Sequence, residues 1–440
     1  MADLRSVFLG LTCLGWACAA GPRPGAVTPA EVPALESQAR QQPNNTQVRF
    51  RLAAALLAAG RCDTAVVVAR AAQRIAPADA LGPLVVGGCQ EKQGRYDLAF
   101  ATYTEFAMQH PRARGVGAVR AKAQVALRTQ AEQTARQALA QESTLSTRPP
   151  EPSTIAVLPV TIAGDSTFRP LSRGLAELLT SDLAMVRTLR LLERVQIGAL
   201  LDELKLGQTA RADTATAARV GRLLRAERMV QGVASIARDG PVRLSASVVR
   251  GDGTVRSGAQ ASGTFRQLLD LEKQLVFGLA GQLGIQLTDA ERQRILRQGP
   301  KNLAAFLAYS DGLDALDRGD YRAAAAAFGA AVRADPSFQT AHEQQQAAEA
   351  APAVQAGGDV VTVVEVVEQV PLPAEPSTLD ALNDANDDTS PPPVSGLPST
   401  SGLPSAPGPE TTTPKLTPAS QGINSVTSAS GALRIIFRRP

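Results

Sequence analysis

The sequence predicts a central α/β or α+β sandwich domain, flanked by all-helical hairpins and followed by a disordered tail. Three observations support this fold class. Pro43, Pro77 and Pro111 stand 34 residues apart. The hydrophobic pattern changes from helical spacing to strand-like runs after residue 154, and 14 of the 30 prolines lie after residue 351. With 440 residues, 44% of them hydrophobic, the chain has room for two or three domains with real cores.

Residues 28–145 form the first helical part. Gly60 recurs as Gly94 in phase with the three prolines, as expected when every repeat is a helix, a turn and a second helix. Glycine suits the end of the first helix because that position needs a positive φ. This 34-residue pattern resembles the tetratricopeptide (TPR) repeat. An alanine-rich helix over residues 114–142 is expected to end the stack.

A further copy of the repeat lies over residues 300–350, with Gly319 and Pro336 in the corresponding places. These residue types serve packing, so we do not interpret them as catalytic. The TPR resemblance implies a concave groove that binds a protein or peptide partner.

The central domain is predicted over residues 152–298. Three prolines in STRPPEPST, at 146–154, indicate a linker before it. A buried strand at 155–160 is followed by alternating helices and a short strand, and two turns that contain Asp-Gly then join three more strand-like runs, at 229–236, 242–250 and 257–265.

Four sequence blocks of this domain resemble the curli production assembly and transport family (CsgG). They are IAVLPVTIAGD at 155–165, LSRGLAELLTSDLA at 171–184, LLERVQIGALLDELKLGQT at 191–209 and TATAARVGRLLRAERMVQGVAS at 214–235. The resemblance implies an exported envelope lipoprotein. The best-known member forms a secretion pore with two long membrane-inserting hairpins, whereas the predicted strands here are short and nearly free of Tyr and Trp. We therefore expect the family's periplasmic fold without the pore.

Residues 1–18 are predicted to be a signal peptide, because the apolar run at 7–17 follows Arg5 and is too short to span a bilayer. Cys18 stands at the end of this run and is the predicted lipid anchor of a bacterial lipoprotein. Ordinary cleavage at Ala17-Cys18-Ala19 is the alternative, which would give a free periplasmic protein.

Two further cysteines, Cys62 and Cys89, fall on neighbouring predicted helices. A pair in an oxidising compartment is a disulfide candidate. Two buried thiols that never meet are an equally good interpretation.

Residues 351–440 are predicted to be a disordered tail rich in Pro, Ser and Thr. Two apolar islands interrupt it, at 360–370 and 433–437. Either island could add a strand to a sheet edge, or it could be a stray apolar run.

The sequence contains no recognised catalytic motif, cofactor fingerprint or metal-ligand spacing, so we predict that the chain is not an enzyme and carries no cofactor or metal. A net charge of +4 is scattered along the helices, which argues against nucleic-acid binding.

Our interpretation is a periplasmic scaffold or assembly factor, anchored to the outer membrane by lipid, that binds an envelope partner in its repeat groove. Homo-oligomer formation stays open. The alternatives are a subunit of a curli-type export channel, and a sensor or enzyme that binds a small ligand in the α/β domain.

Overall fold

The computed structural model describes residues 27–205, 213–236, 240–357 and 360–369. The predicted signal peptide with Cys18, and the predicted tail beyond residue 369, lie outside the described residues. What the sequence predicts for them therefore stays a prediction.

The chain ahead of the first strand is helical. Its helices are α1 (Val32–Gln41), α2 (Thr46–Ala58), α3 (Cys62–Gln73), α4 (Leu81–Lys92), α5 (Tyr96–Gln109), α6 (Val116–Ala140) and α7 (Glu142–Thr147). The pairs α2/α3 and α4/α5 are hairpins that contact each other along the chain.

Each hairpin turns on the predicted glycine. Gly60 and Gly94 have φ of +75° and +71°. The amide of Gly60 donates to the Leu57 carbonyl (3.0 Å) and the next amide to the Leu56 carbonyl (2.8 Å). The same two bonds recur at Gly94, which is the Schellman end of a helix. A hairpin near the C-terminus repeats this arrangement at Gly319, with φ of +76°. The structure thus forms helical hairpins where the 34-residue period predicts them.

The central domain contains a mixed sheet. Its strands are β1 (Glu151–Val157), β2 (Thr161–Gly164), β3 (Arg190–Leu191), β4 (Ala226–Ile236), β5 (Val242–Arg250) and β6 (Val255–Gly263). They lie in the order β3-β1-β4-β5-β6, and β2 pairs with the second half of β4. β1 is parallel to β3 and β4, whereas β4, β5 and β6 form an antiparallel meander.

Helices cover both faces of this sheet. They are α8 (Leu171–Leu183), α9 (Arg194–Glu203), α10 (Thr214–Leu224), α11 (Leu268–Gln282) and α12 (Asp289–Arg297). Along β1, Ile155 joins the apolar core with α8 and α11, and Ala156 joins the core with α9 and α10. This alternation is the period-2 pattern of a strand with a core on each side.

The remaining described helices are α13 (Leu303–Asp317), α14 (Tyr321–Ala334), α15 (Gln339–Gln355) and α16 (Val360–Gln369). α15 packs along α6: the Gln124 side chain donates to Gln344 Oε1 at 2.7 Å, and Arg120 donates to Gln346. The sequence suggested that the helical stack ends at α6, but in the structure it does not. It continues through α15 into the hairpin of α13 and α14.

Two predicted segments need correction. The linker at 146–154 is partly ordered, because α7 ends at Thr147 and β1 already begins at Glu151. Pro152 is tolerated there because the register of β1 on β4 shifts before Ile155. The predicted start of the tail, residue 351, is too early, because α15 extends to Gln355 and α16 covers Val360–Gln369, both held by apolar packing. Residues 360–369 of the first apolar island form a helix rather than a strand.

Candidate protein-binding face

The first helices of the two hairpins, α2 and α4, and the next helix along the chain after them, α6, lie side by side. A Cβ atom placed on Gly88 of α4 would be 3.0 Å from Cδ2 of Leu57 on α2, so the two helices approach closely. Lys122 of α6 pairs with Glu91 of α4 at 2.9 Å. We call the surface made by α2, α4 and α6 the first-helix face.

The middle parts of α2 and α4 are buried on every side. Leu52–Leu57 and Gly82–Cys89 are unbroken runs of buried residues. The second run has eight residues, more than two helical turns, so no side of α4 there faces solvent. Hairpin partners and neighbours along the stack cover most of this circumference, and another element must cover the first-helix face.

The covering element is α16. It packs against α2, α4 and α6, and its Val360, Val361 and Val363 are 8%, 5% and 3% exposed. These valines belong to one apolar cluster with residues of all three helices. A Cβ atom placed on Gly115, just before α6, would lie 3.1 Å from Cγ1 of Val364. The predicted groove surface is therefore occupied, in this structure, by a helix of the chain itself.

Sequence reasoning missed this contact, although the sequence carried a signal for it. LAAALL in α2 and GPLVVGGC in α4 are apolar in all directions, and a helix that is apolar all round is a buried helix. An exposed groove would have required polar residues on one side of α2 and α4.

Polar contacts join α4 to its neighbours. The hydroxyl of Tyr103 on α5 donates to Glu91 at 2.9 Å. Burial, followed by the charge of Glu91, raises the pKa of Tyr103 well above its usual value. Burial lowers the pKa of Arg120 on α6, which lies 3.4 Å from Glu343 of α15. These contacts fix the helices on which α16 rests.

Cys62 and Cys89 do lie close together. The Sγ of Cys89 is 3.8 Å from the carbonyl oxygen of Cys62. Both are free thiols here, and burial together with the neighbouring Cys62 raises the pKa of Cys89. The disulfide remains a prediction.

An ion-pair network joins the central domain to the C-terminal hairpin. Arg194 of α9 contacts Glu177 of α8 at 3.2 Å and Asp317 of α13 at 2.8 Å. Arg173 of α8 also reaches Asp317, and it contacts Asp314 at 2.8 Å. The neighbouring carboxylates raise the pKa of Arg194 despite its burial. The network holds the hairpin on the domain.

A buried acidic pair lies between α8 and α11. Asp182 and Glu272 are 0% and 1% exposed. Lys273 donates to Asp182 and lies 3.5 Å from Glu272 Oε2. Burial raises the pKa of Asp182 to about 6, and burial together with Asp182 raises that of Glu272 well above its usual value.

A cleft of about 350 Å³ opens at one end of the sheet, lined among others by Ser153, Thr188, Arg228, Gln286 and Glu291. The Glu291 carboxylate accepts the Arg187 amide at 3.0 Å and caps α12 through Thr288. Since that carboxylate is already used by the fold, we do not take the cleft as the functional site.

Within the described ranges, no cluster of three or more His, Cys, Asp or Glu residues could hold a metal ion. In the same part of the chain, every helix is too short or too polar to cross a membrane.

The family model of the curli production assembly/transport component CsgG matches residues 133–237. No curated protein matches the chain. A CsgG family domain is therefore present at 133–237, as the sequence blocks suggested, and it indicates a role in envelope assembly or transport. The match begins inside α6, whose Ala135 and Ala138 belong to the same apolar core as α9 and α10. It does not extend to the helical hairpins, so their assignment as TPR repeats stays a prediction.

Proposed function

We propose that this protein is a non-enzymatic envelope scaffold, anchored through Cys18, that binds a partner protein on the first-helix face. The observation that supports this proposal is the seating of α16 on α2, α4 and α6. A surface that accepts one short apolar helix has the shape and chemistry for helix-in-groove recognition. The CsgG family domain supports the envelope context.

Lysine-reactive cross-linking in intact cells tests the proposal, because the chain provides its own controls. Lys92 of α4 and Lys122 of α6 lie on the helices of the first-helix face, whereas the exposed Lys205 and Lys301 lie elsewhere. We expect an envelope protein to be cross-linked through Lys92 or Lys122. Cross-links confined to Lys205 and Lys301 would move the partner to the central domain or to the start of the C-terminal hairpin, and would contradict the proposed face.

The CsgG match also favours a second candidate, a subunit of an export channel. Purified mature protein in liposomes separates the two. The scaffold proposal predicts no ion conductance at any protein-to-lipid ratio, while stable conductance steps from oligomers would favour the channel.

A further inference from the structure

The sequence of α16, VVTVVEVVEQ, is unsuited to an isolated helix. Seven of its ten residues are β-branched, and β-branched side chains lose rotamer freedom in a helix. A helix of this length is unstable alone in water even with better residues. The helical state of α16 therefore depends on its packing against the first-helix face.

The connection to α15 is short. α15 ends at Gln355 and α16 begins at Val360, and Gly357 between them has φ of +70°, a conformation that glycine adopts without strain. A short tether of this kind gives a local concentration on the order of millimolar. Modest intrinsic affinity is thus enough to keep α16 docked, and a competing ligand can replace it.

We propose that α16 is an intramolecular ligand that occupies the first-helix face, and that a partner binds by displacing it. The replacing segment must present what α16 presents: about three turns of helix rich in valine or isoleucine. This inference rests on the proposed function of the face and adds its regulation. In the free protein the face is closed, and α16 leaves as an unstructured segment when a partner segment takes its place.

The test uses the full mature chain and a fluorescent peptide of residues 360–369 with two added lysines for solubility. Val361→Glu/Val363→Glu places charges at two buried positions of α16 and should release it. Val67→Glu/Val255→Glu makes the same change at two positions that are 69% and 50% exposed. We expect the first variant to bind the peptide at least tenfold more tightly than wild type, and the second variant to match wild type. A peptide of scrambled sequence should bind none of them.

Equal affinity of all three proteins would overturn the proposal, as would a folded Val361→Glu/Val363→Glu variant that binds no peptide. If that variant does not fold, hydrogen exchange on the wild type decides. Excess peptide should accelerate amide exchange in residues 360–369 of the chain, and unchanged exchange would overturn the proposal. Because no partner is present in these assays, displacement can succeed even where the cross-linking of an envelope partner fails.

Discussion

Replacing Glu272 by Gln should change how the stability of the protein depends on pH. Glu272 is 1% exposed and adjoins Asp182 and Lys273. Its pKa is raised in the folded protein, so above the ordinary glutamate pKa the unfolded chain loses this proton while the folded chain keeps it. The free energy of unfolding therefore falls as pH rises through that interval, and the glutamine variant removes this loss.

The magnitude follows from proton linkage. One proton held by the folded state and lost by the unfolded state costs about 1.4 kcal/mol of stability for each pH unit. Relative to wild type, Glu272→Gln should gain this amount per unit from pH 5 upward, until Glu272 ionises in the folded protein. Asp182, whose pKa is raised to about 6, interacts with Glu272 and adds its own loss of stability below pH 6, so the slope that belongs to Glu272 is compared between the two proteins above pH 6.

Urea unfolding at a series of pH values measures this effect. Far-ultraviolet circular dichroism is the suitable signal, because the only tryptophan, Trp16, lies in the predicted signal peptide. Glu291→Gln is the matched control: hydrogen bonds lower the pKa of Glu291, so that variant should lose stability relative to wild type as pH rises toward the ordinary glutamate pKa, and the difference should stay constant above it. Parallel pH profiles of wild type and Glu272→Gln would refute the reasoning.

Three other predictions concern single features of the chain. Arg194→Met removes the cation of Glu177, whereas Asp317 keeps Arg173, and should cost about 1 to 3 kcal/mol, visible as a lower melting temperature; an unchanged melting temperature would show that the network is dispensable. If Cys62 and Cys89 are bonded in the envelope, alkylation of the unreduced, unfolded protein labels neither, and labelling of both rules the disulfide out. Cys18→Ser should move the protein from the membrane fraction to the soluble periplasm; a soluble wild type with Ala20 at its mature N-terminus would contradict the anchor.

Local signals in the sequence predicted most of the fold. β5 occupies the predicted residues 242–250, because alternation and a Gly-Asp turn define it locally. The turns of the hairpins could be predicted from their glycines, because a positive φ at the end of the first helix is a local requirement that glycine meets without strain. The capping box at Thr288 and Glu291, which is present in the structure, is likewise a pattern of only four residues.

The candidate site was predicted only in part. The position of the first-helix face follows from the repeat period, but its occupant does not. Valines at 360–367 favour a strand by propensity, and packing on α15 and on α2, α4 and α6, three helices distant in sequence, stabilises this segment as a helix. The network around Arg194 also joins helices far apart in sequence, so no local pattern could reveal it.

The most direct test of partner binding on the first-helix face is a reversible lock of α16. A Cβ atom on Gly115 would lie 3.1 Å from Cγ1 of Val364, which is close enough for Gly115→Cys/Val364→Cys to bond, although φ of +74° at Gly115 adds a strain of about 1 kcal/mol. With the lock oxidised, the partner cross-linked through Lys92 or Lys122 should no longer be captured. Reduction of the same protein should restore capture, and wild type treated identically should capture throughout. Equal capture by the oxidised and reduced lock would contradict binding on this face.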